Sequence, residues 1–246
     1  MPQDNITTRR DRPLYAVLID ADNIPAKYAA AILREITSFG EPALRRVYGD
    51  WSSGQLRGWS ETVRALGLVA HQETANTKGK NASDIGLVID AMDILHTGRF
   101  DGFVLVSSDS DFTALANRIR EQGLDVIGIG EAKAPESLRN VCNRFILIEN
   151  IVEDTEATAE RGARARPATA KKPPAEAIPL ILAAMDKIEQ DDEWYALGQI
   201  GQTIMAEHPD FDTRTYGKRK LSDLLRELPR FEMRKEGNQT LIRRRD

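Results

Sequence analysis

Cysteine, histidine and long apolar runs are what this 246-residue sequence has least of. Its single cysteine, Cys142, excludes an internal disulfide and any cysteine cluster for zinc. Three scattered histidines, His71, His96 and His208, could form a metal site only by long-range assembly. No apolar stretch approaches the ~18 residues of a membrane span. The opening MPQDNITTRRDRP also lacks the apolar segment of a secretory signal. The expectation is a soluble, cytoplasmic chain with no membrane partner. Any metal falls to carboxylates, and Asp and Glu number 38 against 34 Lys and Arg.

The charge is unevenly spread. Residues 214–246 hold 11 basic and 5 acidic side chains, against a net charge of −4 for the whole chain. Phosphates respond to such a local potential rather than to the mean. Between the two halves, EDTEATAERGARARPATAKKPPA contains almost no large apolar residue and cannot offset the entropy of ordering. The chain therefore divides into a domain at 13–150, a flexible linker at 151–175 and a smaller domain at 176–246.

In the first domain, YAVLID (15–20), ALRRVY (43–48), LVAH (68–71), GFVLVS (102–107), DVIGI (125–129) and RFILI (144–148) read as strands. The stretches 25–39, 54–66, 82–97, 111–122 and 135–141 between them read as helices. In the third, Ile85, Val88, Ile89, Met92 and Leu95 follow the spacing of one buried face. Gly40 and Gly123 suit left-handed helix caps. This alternation implies an α/β fold, a parallel sheet with helices on both faces. Ligands bind such sheets beyond the carboxyl ends of the strands, at the switch point.

Acidic residues gather at those ends. The first strand runs into Asp20-Ala21-Asp22-Asn23 and the fourth into Ser107-Ser108-Asp109-Ser110-Asp111, while Asp84 opens a helix. If the two strands are neighbours, the carboxylates converge and repel unless a cation sits among them. Oxygen ligands without His or Cys suit Mg²⁺ or Mn²⁺. Two such ions about 4 Å apart would activate water against a phosphodiester. Simpler roles stay open for each residue alone: Asp111 as a helix N-cap and Asp84 as a complement to the helix dipole. Capping, however, needs one side chain per helix and not two.

The motifs LIDADN, KGKNASDIGLVIDAMD and VLVSSDSDFTALANRIREQGLDVIGIG resemble, in order, those of the NYN domain, a PIN-like ribonuclease module. The resemblance covers about residues 13–150 and implies a Rossmannoid sheet of order 3-2-1-4-5 carrying a metal-dependent nuclease site. It assigns catalytic and metal-binding roles to Asp20, Asp84, Asp109 and Asp111, and a substrate role to Asn23. Asp90 also fits the pattern, but it lies ~120° around an ideal helix from Asp84 and should not share the metal. Asp22 is an extra acid expected in solvent. Lys78 and Lys80 could hold the substrate backbone; an exposed polar loop is the alternative. Trp51 could stack a base, whereas Trp59 is expected in the core. His71 is expected to be non-catalytic and Cys142 a small buried hydrophobe.

In 176–246, amphipathic stretches precede a hairpin centred on Glu236-Gly237-Asn238, a winged-helix outline. Trp194, Leu197 and Gly198, then PDFDTRTYGKRKLSDLL and LPRFEM, resemble the LOTUS (OST-HTH) domain. That resemblance implies RNA binding, single-stranded or structured, with a protein partner as the alternative. Tyr216, Lys218, Arg219 and Lys220 stand at a helix start, where the dipole favours anions. Phe211 and Phe231 are expected in the core.

The leading expectation is a metal-dependent endoribonuclease acting on RNA captured by the second domain, with DNA also chemically accessible. A non-catalytic RNA-binding regulator is the second reading. A haloacid-dehalogenase-type phosphatase with Asp20 as nucleophile is the third; there Asn23-Ile24 and Asp109-Ser110-Asp111 depart from the expected pattern.

Overall fold

The computed structural model describes residues 11–52, 54–72, 82–152, 171–190 and 192–245. Six parallel strands form one sheet: β1 (Leu14–Asp20), β2 (Glu41–Gly49), β3 (Val69–Gln72), β4 (Gly102–Val106), β5 (Asp125–Gly130) and β6 (Arg144–Leu147). Their order is β3-β2-β1-β4-β5-β6, so the expected series gains β6 at one edge. The central strands β1, β4 and β5 are apolar on both sides because both faces are covered. Val17, Ile19, Val47 and Val104 face α1 (Ala29–Ile36) and α2 (Arg57–Leu66). Ala16, Leu18, Phe103 and Leu105 face α3 (Ala82–His96), α4 (Thr113–Glu121) and α5 (Glu136–Val141).

Two sequence expectations need correction. The buried face of α3 is Leu87, Ala91, Ile94 and Leu95, while Ile85 and Ile89 are 61% and 59% exposed. This helix is apolar nearly all round, so periodicity cannot choose its rotation. Its acids do: Asp84 belongs to the acidic edge, and Asp90 pairs with Arg46 and the Tyr48 hydroxyl of β2. At 100° per residue, Leu87 lies midway between those two aspartates. Gly123 is left-handed as expected (φ 76°), but Gly40 is not. A Cβ on Gly40 would lie 2.4 Å from the Pro13 carbonyl oxygen. Close approach, not a left-handed turn, requires glycine there.

The second unit contains α6 (Ile178–Lys187), β7 (Tyr195–Ala196), α7 (Leu197–Glu207), α8 (Leu221–Arg226) and the hairpin β8 (Phe231–Glu236)–β9 (Gln239–Arg244). The hairpin turns at Gly237 (φ 57°), and the small sheet runs β7-β9-β8. Ile181, Met185, Ile200, Ile204, Leu224, Leu225, Phe231 and Ile242 form its core. This is the winged-helix outline expected from the sequence.

The two units touch along the β6 edge. The Phe145 N–H donates to the Pro209 carbonyl (2.9 Å), satisfying a backbone donor on the outer edge of the sheet. Arg139 of α5 pairs with Asp210 (3.3 Å), and Glu35 of α1 pairs with Arg214 (2.8 Å), so residues 209–214 straddle the edge between two helices. Asn150 Nδ2 donates to Thr215 Oγ1 (3.0 Å). Within the expected linker, 153–170 lie outside the described residues. Lys172 N–H donates to the Thr215 carbonyl (3.0 Å), which ties down its last part.

Candidate active site

β1 and β4 are adjacent and paired through Ile19↔Val106, so Asp20 and Ser107 emerge side by side at the switch point. Ser107 Oγ donates to Asp20 Oδ2 (2.9 Å) and accepts from the Asp109 N–H (3.1 Å). Asp20 Oδ1 accepts from the N–H groups of Asp22 (3.1 Å) and Asn23 (3.2 Å). Asn23 Oδ1 accepts from the Ser108 N–H (3.1 Å), and Ser108 Oγ accepts from the Glu131 N–H (2.8 Å). The loops after β1, β4 and β5 are thereby stitched together. Asp20 and Ser107 are 4% and 3% exposed, so this network is fixed beneath the surface rather than laid over it.

Above it, Asp84, Asp109 and Asp111 each bring one carboxylate oxygen to within 4.8 Å of the others. Asp84 and Asp109 are half-buried and Asp111 is exposed. Asp109 caps the short 3-10 turn Ser110–Phe112 by accepting from the Asp111 N–H (3.0 Å). The N-cap role that the sequence offered to Asp111 therefore belongs to Asp109. Three hard oxygen donors at this spacing fit a cation such as Mg²⁺ or Mn²⁺.

The electrostatics agree with that fit. Burial, then the charges of Asp109, Asp111 and Asp22, push the Asp84 carboxyl up to about 6. Burial also pushes Asp20 to about 6, with Asp84 and Asp22 adding to the rise and the Ser107 and Asn23 hydrogen bonds opposing it. Mutual repulsion of this kind is relieved by a positive charge among the carboxylates. Asp22 is exposed, as expected, yet its charge reaches both Asp20 and Asp84. A cavity of about 290 Å³ beside this edge is lined by Asp22, Asn23, Pro25, Leu56 and Trp59 among others.

Other candidates fall elsewhere. Lys78 and Lys80 lie outside the described residues. Asp90 sits in the Arg46–Tyr48 network, away from the three-carboxylate cluster. Trp59 is in the core, its Nε1–H donating to the Ile24 carbonyl (2.9 Å), and Trp51 donates to the His71 carbonyl (2.7 Å). His71 packs against the Tyr48 ring at 5.1 Å. Cys142 is buried, and burial pushes its thiol up to about 12, so it is inert.

In the second unit, Tyr216 is 8% exposed and packs against Phe211 in the core. Lys218 pairs with Glu227, Arg219 lines the cleft between the units, and Lys220 is exposed just before α8. The structure therefore distributes the basic triplet over different surroundings. Sequence reasoning missed two features here. Ser107 and Ser108 fasten the site, and their only signal was a pair of small hydroxyls between an apolar strand and two acids. Trp194 is flanked by Arg234 of β8 (4.2 Å) and Arg243 of β9 (4.9 Å), a cationic–aromatic patch assembled by hairpin register.

Residues 15–149 match the NYN domain, and residues 169–242 match the OST-HTH/LOTUS domain. Among solved structures, a protein of unknown function from Vibrio parahaemolyticus is 20% identical. The similarity covers 60% of this chain and 96% of that one, with a TM-score of 0.48. MurG from Acinetobacter baumannii is 11% identical over 81% of this chain and 65% of that one, with a TM-score of 0.38. Neither likeness bears on function. No match was found among curated proteins. No helix among the described residues is long and apolar enough to cross a membrane. With the NYN match spanning more than half of its length, and the acidic edge formed by the matched residues, the chain belongs to the NYN-domain family and carries an OST-HTH/LOTUS domain downstream.

Proposed function

We propose that this protein is a divalent-metal-dependent endoribonuclease, with RNA bound by its OST-HTH/LOTUS domain. The observation that carries the reading is the convergence of Asp84, Asp109 and Asp111 at the switch point, in a domain of a nuclease family. Asp84, Asp109 and Asp111 would hold Mg²⁺ or Mn²⁺, which supplies an acidified water and a counter-charge to the phosphodiester oxygens. Asp20 acts one layer below as a positioning residue. Through Ser107 it fixes the backbone that presents Asp109, and its carboxyl lies near enough to Asp84 to feel that charge, so a cation in the cluster would relieve both. Asn23 holds the Ser108 backbone in the same way. The hydrogen bonds of Asp20 to Ser107 Oγ and to the Asp22 and Asn23 N–H groups support this positioning role over that of nucleophile in a haloacid-dehalogenase-type phosphatase. Lys78, Lys80, Lys218, Arg219 and Lys220 are assigned to the RNA backbone as phosphate contacts. Domain limits of 13–150 and 176–246, joined by the linker 151–175, belong to the same reading.

The test is incubation of the full chain with RNA and Mn²⁺, with and without EDTA, alongside the variant Asp109→Asn. Cleavage should require the metal and fall by at least about a hundredfold in the variant, the scale of losing a transition-state charge partner. Cleavage that survives EDTA, or full activity in Asp109→Asn, rejects the site. RNA binding without cleavage in any metal leaves the regulator reading instead. The deoxy version of the same oligonucleotide measures the choice between RNA and DNA.

A further inference from the structure

The open cavity of about 290 Å³ beside the acidic edge has a chemistry that the three-carboxylate cluster does not use. Leu56 and Trp59, 5% and 2% exposed, give it an apolar floor. The one polar atom of that indole is already taken, since its Nε1–H donates to the Ile24 carbonyl (2.9 Å). Pro25 and Gly58, both exposed, form the rim. Gly58 keeps the space open: a Cβ there would meet nothing nearer than the Ala26 Cβ, at 3.7 Å. Among the described residues that line the cavity, none is cationic.

Its polar side chains come from two consecutive residues, Asp22 and Asn23. Both are fixed through their backbone, their N–H groups donating to Asp20 Oδ1 at 3.1 and 3.2 Å. Asn23 Oδ1 accepts from the Ser108 N–H (3.1 Å), so the amide is left with its NH₂ as a donor. Asp22 Oδ1 lies over the end of β2, 3.6 Å from where a Gly49 Cβ would stand. Among the described residues the Asp22 carboxylate has no hydrogen-bond or ion-pair partner. Its charge nevertheless acts on Asp20 and Asp84, so the cavity opens directly onto the acidic edge.

We infer that this cavity seats one base of the RNA strand beside the phosphodiester being cut, guanine ahead of the other bases, with Asp22 reading it. The inference rests on the nuclease reading above. A carboxylate repels a phosphate, so the backbone turns to the cation and the base to the cavity. The apolar floor accepts the ring of any base. Identity is then read at the polar end, where Asp22 only accepts hydrogen bonds and Asn23 adds a donor. Guanine carries two adjacent N–H donors beside a carbonyl, which matches that set. Adenine and cytosine offer one amino group, and uracil offers a lone ring N–H between two carbonyls. Single-stranded RNA leaves these base edges open to such recognition.

The experiment uses the full chain and a single-stranded RNA of mixed sequence in Mn²⁺, with every cut mapped by sequencing. Cuts beside guanine should exceed cuts beside uracil roughly fivefold to tenfold, the low end for a bidentate contact because Asp22 is exposed. Asp22→Asn keeps the size and removes an acceptor, whereas Gly58→Met fills the cavity from an exposed position; each should abolish that preference. Preference, not rate, is the readout, because the Asp22 charge also reaches the acidic edge. A second measurement needs no activity. In EDTA, guanosine should shift the indole N–H resonance of Trp59, uridine should not, and Gly58→Met should remove the shift. Cutting without base preference, or a preference that survives both variants, overturns the inference. So does a raised Mn²⁺ requirement in Asp22→Asn with the preference unchanged, which would make Asp22 a metal group. Absence of cleavage in any metal with the guanosine shift intact fails the nuclease reading and leaves the base site standing. Absence of both overturns both.

Discussion

Replacing Asp20 with Asn should stabilise the metal-free protein at about pH 8 and destabilise it at about pH 4, a reversal set by its raised pKa. The carboxyl moves from 3.8 to about 6 in the folded protein, chiefly through burial. Two units correspond to about 3 kcal/mol working against the folded state once both folded and unfolded forms are ionised. The sign follows from proton binding. The folded protein holds this proton more tightly, so the benefit is full below about pH 4 and is lost as pH rises through about 6. Asn carries no charge and escapes that loss. Its amide oxygen can still accept from the N–H groups of Asp22 and Asn23. Its NH₂ would face Ser107 Oγ, which now donates to Asp20 and already accepts from Asp109 N–H, a mismatch costing about 1–2 kcal/mol. The net expectation is a gain of about 1–2 kcal/mol at the higher pH and a loss of similar size at the lower. Urea unfolding in EDTA at both pH values measures it. Equal destabilisation at both would show that hydrogen bonds, and not desolvation, dominate at this carboxylate, and the reasoning would fall.

Other expectations follow from the same geometry. Arg214→Gln strands Glu35 and Asp212, only 19% and 10% exposed; after discounting for partial exposure it should cost about 2 kcal/mol. Amide exchange at Phe145, whose N–H bonds Pro209, should quicken if the units separate; unchanged protection would mean that the contact does not rest on Arg214. Gly128→Ala would set a Cβ 2.4 Å from the Phe145 ring and should destabilise by about 1–3 kcal/mol in thermal unfolding, whereas Gly198→Ala, with open space around it, should not. Changing Lys218, Arg219 and Lys220 together to Ala should weaken RNA binding evenly across sequences and lower the salt slope by roughly 0.7 per lost contact on single strands. An unchanged slope would assign RNA capture to another surface, with the Trp194–Arg234–Arg243 patch next in line.

Local sequence determined a great deal here. Strands buried on both faces must be apolar throughout, so YAVLID, GFVLV and DVIGI announce a parallel sheet without any knowledge of their neighbours. Acids placed immediately after such runs lie at carboxyl ends by necessity, which is why Asp20, Asp109 and Asp111 were legible as neighbours at one edge of the sheet. Tertiary structure decided what local pattern leaves degenerate. The rotation of α3 is an example: apolar side chains line opposite sides of that helix, and only the pairing of Asp90 with Arg46 and Tyr48, together with the place of Asp84 at the edge, turns Leu87 inward and Ile85 outward. Likewise, Ser107 binds Asp20 only because β4 lies beside β1, and the cleft between the units joins residues from 35 to 221 that share no sequence pattern. Periodicity reports which side chains avoid water, whereas the register of strands and the docking of domains choose which charged and polar groups meet.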